Sequence, residues 1–160
     1  MRDEPISSHG TPGRAAPEFL MRAAQSYMAS KSLRLTTSRL RLLTTLCDSD
    51  RPLTLAEIQQ RVESLPTSSL YRNVIALETS GVLRRVTGTD GYARFELGDS
   101  IDRHHHHLIC SECGNIADVE IDADLERQLE HAAMIAQDSV GFRVTDHTFD
   151  MHGVCRDCAE

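Results

Sequence analysis

Tryptophan is absent from this 160-residue chain, and Phe and Tyr together supply only seven aromatic side chains. Proteins that grip single-stranded nucleic acid stack successive bases on such rings, so a platform of that kind is not expected. No apolar run approaches the roughly 18–20 residues that a membrane-spanning helix needs. The opening MRDEPISSHGTPGRAAP lacks the apolar core of a secretory signal. Both absences point to a cytoplasmic protein without a membrane partner. Internal repeats and low-complexity tracts are missing too. So are the nucleophile elbow, the phosphate-binding loop and the dinucleotide fingerprint. No enzymatic activity is expected.

What the chain has is a globular balance, 40% apolar and 26% charged, enough to bury a core. Its formal charge of −7 conceals an asymmetry. Arg14–Arg94 carries 12 basic and 7 acidic side chains, whereas Phe95–Glu160 carries 4 basic and 15 acidic. Seven of the eight histidines and four of the five cysteines lie in the acidic half. One half suits a polyanion and the other suits cations. The expected division is a mobile tail over 1–16, a first domain over 17–97 and a second over 98–160.

Pro17 fits a first helical position, and Phe19, Leu20, Ala23, Ala24 and Tyr27 follow at helical spacing. A second helix fits Ser38 to about Cys47, with Leu40, Leu43 and Cys47 on its inner face. Thr54-Leu-Ala-Glu57 reads as a capping box, in which hydroxyl and carboxylate each satisfy a backbone N–H; its helix runs to about Ser64. Thr67 is positioned to cap a helix holding Leu70, Val74 and Leu77, with Gly81 as its left-handed stop. Val82–Thr87 and Tyr92–Leu97 then read as a hairpin.

Three helices and a β wing make a winged helix-turn-helix, whose second turn helix enters the DNA major groove. The plainer alternative is some other small α+β domain with a hairpin. The local positive charge favours the DNA reading. Ser68, Ser69, Tyr71 and Arg72, at the start of the proposed recognition helix, offer donors to phosphates and base edges. Arg84 and Arg85, on the first wing strand, are further candidates for phosphate.

Beyond Leu97 short strands surround one helix. His104–Cys110 and Asn115–Ile121 are strand candidates, Asp122 or Asp124 caps a helix through about Gln137, and Phe142–Met151 gives another strand. Cys110-Ser-Glu-Cys113 and Cys155-Arg-Asp-Cys158 form two CxxC pairs separated by 41 residues. Two such knuckles complete a tetrahedral zinc site of four thiolates, and a cytoplasmic chain disfavours the disulfide alternative. The H-x-E motif of zinc deaminases is missing.

Four consecutive histidines precede the first knuckle. Successive strand side chains face opposite ways, so His104 and His106 serve one site and His105 and His107 another, unless the run is a solvated loop. Glu126, His147 and Glu96 are available as partners. Imidazole with carboxylate suits Zn2+, Fe2+, Mn2+ or Ni2+ without choosing among them. Cys47 reads as a core residue, His131 and His152 as surface histidines, and His9 as incidental.

The ordered combination of Thr-Ser-Ser-Leu-Tyr-Arg-Asn, Phe95-Glu96-Leu97, His104-His-His-His-Leu-Ile-Cys110-x-x-Cys113-Gly114 and a late Cys155-x-x-Cys158 resembles the ferric uptake regulator family over about residues 17–158. The resemblance implies a homodimeric, metal-responsive repressor of metal-uptake or stress genes that binds operator DNA. It implies an N-terminal winged helix-turn-helix domain and a small C-terminal α/β dimerisation domain with a four-cysteine zinc site. It further implies structural zinc on Cys110, Cys113, Cys155 and Cys158, and a divalent metal (Zn2+, Fe2+ or Mn2+) on His104, His106, Glu126 and His147. A hinge regulatory site follows from Glu96, His105 and His107. Many members add a histidine from the DNA-binding domain to the hinge, yet this chain has none between His9 and His104. Two alternatives stand beside this reading: a peroxide sensor using ferrous iron on the same scaffold, and a metal buffer that binds no DNA.

Overall fold

The structure is a computed structural model that describes residues 14–62 and 65–159. Most of the expected tail therefore lies outside the described residues. Its last part is anchored: Arg14 donates to the Asp102 carboxylate at 3.0 Å and to the Leu46 carbonyl at 3.1 Å.

Helix α1 (Pro17–Ser30) starts on its proline, as expected, and buries Leu20, Ala24 and Met28 at successive i+4 steps. Phe19 points outward, 58% exposed. In α2 (Thr37–Cys47) the Thr36 hydroxyl accepts the Arg39 N–H at 3.3 Å. Its inner face is Leu42, Leu43, Leu46 and Cys47, while Leu40 lies outside it. The expected Leu40–Leu43–Cys47 stripe is thus rotated, because two adjacent pairs, Leu42–Leu43 and Leu46–Cys47, bury more surface than a single row.

Thr54 closes the two-residue strand β1 (Leu53–Thr54) and caps α3 (Leu55–Arg61) through the full box with Glu57. This helix ends at Arg61, short of the expected Ser64. Helix α4 (Thr67–Thr79) buries Leu70, Val74 and Leu77. Thr67 does not cap it; Pro66 holds the cap position with φ −57° and ψ 137°. The Pro66 carbonyl accepts the N–H groups of Ser69 and Leu70 at 2.8 and 3.0 Å. The helix stops in a Schellman motif: Gly81 turns left-handed at φ +78° and donates to Glu78, while Val82 donates to Leu77.

Strands β2 (Leu83–Thr87) and β3 (Ala93–Leu97) form the expected hairpin, and β1 adds to β3 in a three-stranded antiparallel sheet. Its register sets Arg84 opposite Glu96 and Arg85 opposite Phe95. Helices α1 to α4 and the wing close around a core that includes Leu20, Leu42, Leu53, Ile58, Leu77 and Phe95. Each such side chain contributes roughly 1.5–3 kcal/mol of burial.

The second sheet has the order β5-β4-β6, made of β4 (His106–Cys110), β5 (Ile116–Val119) and β6 (Asp150–Gly153). β6 runs parallel to β4, which demands a crossover, and α5 (Ala123–Val140) supplies it. The Asp122 carboxylate caps α5. The strand expected over Phe142–Met151 shrinks to β6, since only residues from Asp150 onward reach the edge of β4. A four-residue helix, α6 (Arg156–Ala159), ends the described chain. Val86 of the wing packs with Ile109 and Ile116, joining the two sheets. The observed architecture is therefore a winged helix followed by a small α/β unit. Among the described residues, no helix is long and apolar enough to cross a membrane.

Candidate metal centres

Cys110 ends β4, Cys113 lies in the turn after it, Cys155 follows β6 and Cys158 belongs to α6. Parallel pairing of β4 with β6 brings the two knuckles together. The four sulfurs lie within 4.8 Å of one another, and Cys113 Sγ is 3.7 Å from Cys155 Sγ. Two Zn–S bonds of about 2.3 Å at a tetrahedral angle set sulfurs roughly 3.8 Å apart. None of these cysteines forms a disulfide. Backbone N–H groups of Cys113 and Cys155 draw the Cys110 thiol down to about 6. Hydrogen bonds from Cys155 and Cys113 push Cys158 up to about 12. The quartet divides its ionisation unevenly, and a dication is what lets all four become thiolates. The donor set fits zinc.

The second group unites His104, His106, Glu126 and His147, whose ligand atoms also lie within 4.8 Å of one another. Glu126 stands in the first turn of α5. Its carboxylate lies 2.9 Å from His106 Nε2, 3.2 Å from His147 Nε2 and 3.5 Å from His104 Nε2. The Nε2 atoms of His104 and His147 are buried without a hydrogen-bond partner. Burial holds the His104 imidazole below its ordinary value, which favours the neutral ring that a metal ligand requires. Orphaned nitrogens converging on a carboxylate fit a divalent cation. Asp99 and Asp146 approach His104 from outside as a further group.

The third group contains Glu96 from β3, His107 from β4, His105 just before β4, and Asp118 from β5. Glu96 Oε2 lies 3.3 Å from both His105 Nε2 and His107 Nε2. Asp118 was not anticipated; antiparallel pairing sets it directly across from His107, with a carboxylate oxygen buried and unpartnered. Only the register between β4 and β5 reveals it. Asp150 approaches His107 Nδ1 at 3.3 Å, the contact by which outer carboxylates fix a ligand tautomer. Burial opposes ionisation of Glu96, yet His105, His107 and Arg84 together hold its carboxyl far below the usual range. Burial would likewise lower His105, but its bond to Glu96 and that residue's charge raise it to about 9. The group draws positive charge, and its donors fit a divalent ion.

Arg84 is the departure. Expected at phosphate, it turns into this third group and is only 17% exposed. Its Nη2 sits 2.5 Å from Glu96 Oε1, its Nη1 2.9 Å from Asp99, and Nη2 3.3 Å from His105 Nε2. The cross-strand register with Glu96 dictates this, because both side chains leave the same face of the hairpin.

The other expected DNA contacts lie apart from the metal groups. Ser68, Tyr71 and Arg72 are exposed on the first turns of α4, while Ser69 is half-buried and within reach of Arg72 Nη2 at 3.3 Å. Asn73 accepts from Arg39 Nε at 3.2 Å, bracing α4 against α2. Arg85 is exposed and holds Glu78 through two bonds of 2.7 and 2.8 Å. Cys47 is buried, its thiol pushed up to about 11 by that burial. His131 and His152 are exposed, and His9 lies outside the described residues.

The chain is 28% identical over 132 residues to the peroxide-responsive repressor PerR of Staphylococcus aureus, covering 80% of this chain and 84% of that protein. Its fold matches the Helicobacter pylori ferric uptake regulator Fur with a TM-score of 0.68 at 22% identity, covering 91% of this chain and 95% of the other. A zinc-bound manganese uptake regulator matches at a TM-score of 0.61 and 26% identity, over 83% of this chain and 98% of the other. Residues 30–152 match the Ferric uptake regulator family, and the chain belongs to that family.

Proposed function

We propose that the protein is a metal-responsive transcriptional repressor that binds operator DNA as a homodimer. Residues 17–97 form the DNA-binding domain in this reading, and residues 98–160 the metal-binding dimerisation domain. The observation that carries it is the third ligand group, in which Glu96 of the wing meets His107 and Asp118 of the second sheet and His105 just before it. A divalent ion held there supplies one cation shared by both parts of the chain. Glu96 would then fix the wing, and with it α4, relative to the second sheet. Ser68, Ser69, Tyr71 and Arg72 would meet DNA from α4, with Arg85 flanking them on the wing. In a dimer, the angle between the two parts sets the spacing of two recognition helices against half-sites about one helical turn apart. Metal that binds the DNA-competent arrangement better shifts the population toward it.

Dimerisation is supported by the surface of the second unit. Helix α5 buries none of its residues, and Met134, Ile135, Val140 and Phe142 are 60%, 58%, 73% and 69% exposed. Apolar exposure on that scale marks an interaction surface.

The test is an anisotropy titration on operator DNA with protein carrying only its four-cysteine zinc, adding Zn2+, Mn2+ or anaerobic Fe2+ separately. One metal is expected to raise affinity tenfold or more, about 1.4 kcal/mol of coupling. No response to any of the three would refute the sensor reading. The similarity to peroxide-responsive repressors favours a second reading, oxidation of a ligand histidine when ferrous iron is bound. Iron-dependent loss of DNA binding in peroxide, with a mass increase on the His104–His107 peptide, distinguishes it.

A further inference from the structure

We propose that Arg84 sets the metal threshold of the hinge group by holding Glu96 as a built-in competing cation. The inference rests on the hinge reading above and deepens it. A divalent ion needs an accessible carboxylate oxygen from Glu96, and the two oxygens are not equivalent. Both oxygens lie 3.3 Å from His107 Nε2, while Oε2 alone is in reach of His105 Nε2 at 3.3 Å. Oε1 receives Arg84 through Nε at 2.7 Å and Nη2 at 2.5 Å. The same guanidinium spans to Asp99 at 2.9 Å and reaches His105 Nε2 at 3.3 Å. It therefore touches two of the residues an ion would use and is itself largely withdrawn from water.

Two effects follow from this placement. A guanidinium keeps its charge at any physiological pH, so it repels an incoming dication at short range and in a weakly screened setting. It also occupies Glu96 Oε1 with two charge-assisted bonds, so an ion can use both carboxylate oxygens only by displacing the guanidinium. The remaining carboxylate, Asp118, lies 3.9 Å from both imidazoles and has no such partner. Arg84 thus weakens the group for every divalent ion. It penalises most those ions that depend on carboxylate oxygen, and least those that draw their affinity from imidazole nitrogen.

The test uses the full-length chain with its four-cysteine site filled by zinc and with His147→Ala removing the second histidine group. Co2+ is the probe, read by its ligand-field absorption and by competition with a chelator of known affinity. Arg84→Gln is expected to bind Co2+ at least tenfold tighter than the His147→Ala parent. Arg84→Met, which keeps the packing of the stem, is expected to do the same, and Arg84→Lys to fall between. A merely structural ion pair predicts the opposite, since losing it would loosen the group. Unchanged or weaker Co2+ binding in both Arg84→Gln and Arg84→Met overturns the proposal while leaving the hinge site standing. Co2+ binding that ignores Glu96→Gln in every background overturns the hinge reading and the proposal with it.

Discussion

The hydroxyl of Thr89, at the tip of the hairpin, donates to the carbonyl oxygen of Cys110 across 2.7 Å. This bond ties the wing to the first cysteine knuckle. Beside it, Gly114 takes φ +69°, and a Cβ there would sit 2.5 Å from Asp90 Cγ. Asp90 cannot yield easily, because Arg94 grips it at 2.9 and 2.6 Å. Thr89→Val is expected to cost about 1 kcal/mol of stability. Gly114→Ala costs more, because it adds a clash to a left-handed backbone. Thermal melting measures both, and a Gly114→Ala protein that melts with its parent would contradict this docking.

Zinc removal bears on the same junction. Cys113→Ser is expected to lose the zinc of the cysteine quartet by native mass spectrometry and to unfold the second sheet, since two of its strands end in cysteine knuckles. A zinc-free variant with that sheet intact would contradict a structural role.

On α4, Arg72→Ala is expected to weaken operator binding by about 1–3 kcal/mol if the side chain reads a base, or to reduce the salt slope by about 1 if it meets a phosphate. Zinc content should not change. Unaltered affinity and unaltered slope together would remove α4 as the recognition helix.

Glu57 gives the fold a pH dependence of known sign. Burial opposes its ionisation, but hydrogen bonds from Arg51 and Thr54 prevail and lower it from 4.5 to about 2. The folded value lies below the unfolded one, so the stabilisation is complete above the ordinary value and fades as pH falls toward 2. Glu57→Gln is expected to cost about 1 kcal/mol at pH 7, with the gap to the parent closing between about pH 5 and pH 2. Denaturant midpoints across that range report it; a constant gap would mean that the carboxylate charge contributes nothing.

Local chemistry was legible in the residues. The Thr54–Glu57 box and the Gly81 stop each depend on groups within a few positions, and both form as read. The alternation along His104–His107 separates two faces for the same reason. Long-range register was not legible. Asp118 and Arg84 join the third group only because β5 pairs with β4 and β2 with β3. Neither residue differs in kind from other charged residues in the chain. Thr67 misled because Pro66, one residue earlier, already holds the extended cap geometry. The parallel seat of β6 on β4 depends on α5 as a crossover, which no periodicity within 142–151 encodes.

An eighteen-residue helix with nothing buried has little within its own chain to hold it, for isolated helices of this length are marginal in water. In the dimer proposed above, a second molecule would cover it, and that part of its order would then obey mass action. Diluting the protein should lower its melting temperature, and a cell holding few copies would keep fewer of them competent. The abundance of the regulator thereby becomes a variable in its own response, independent of any metal.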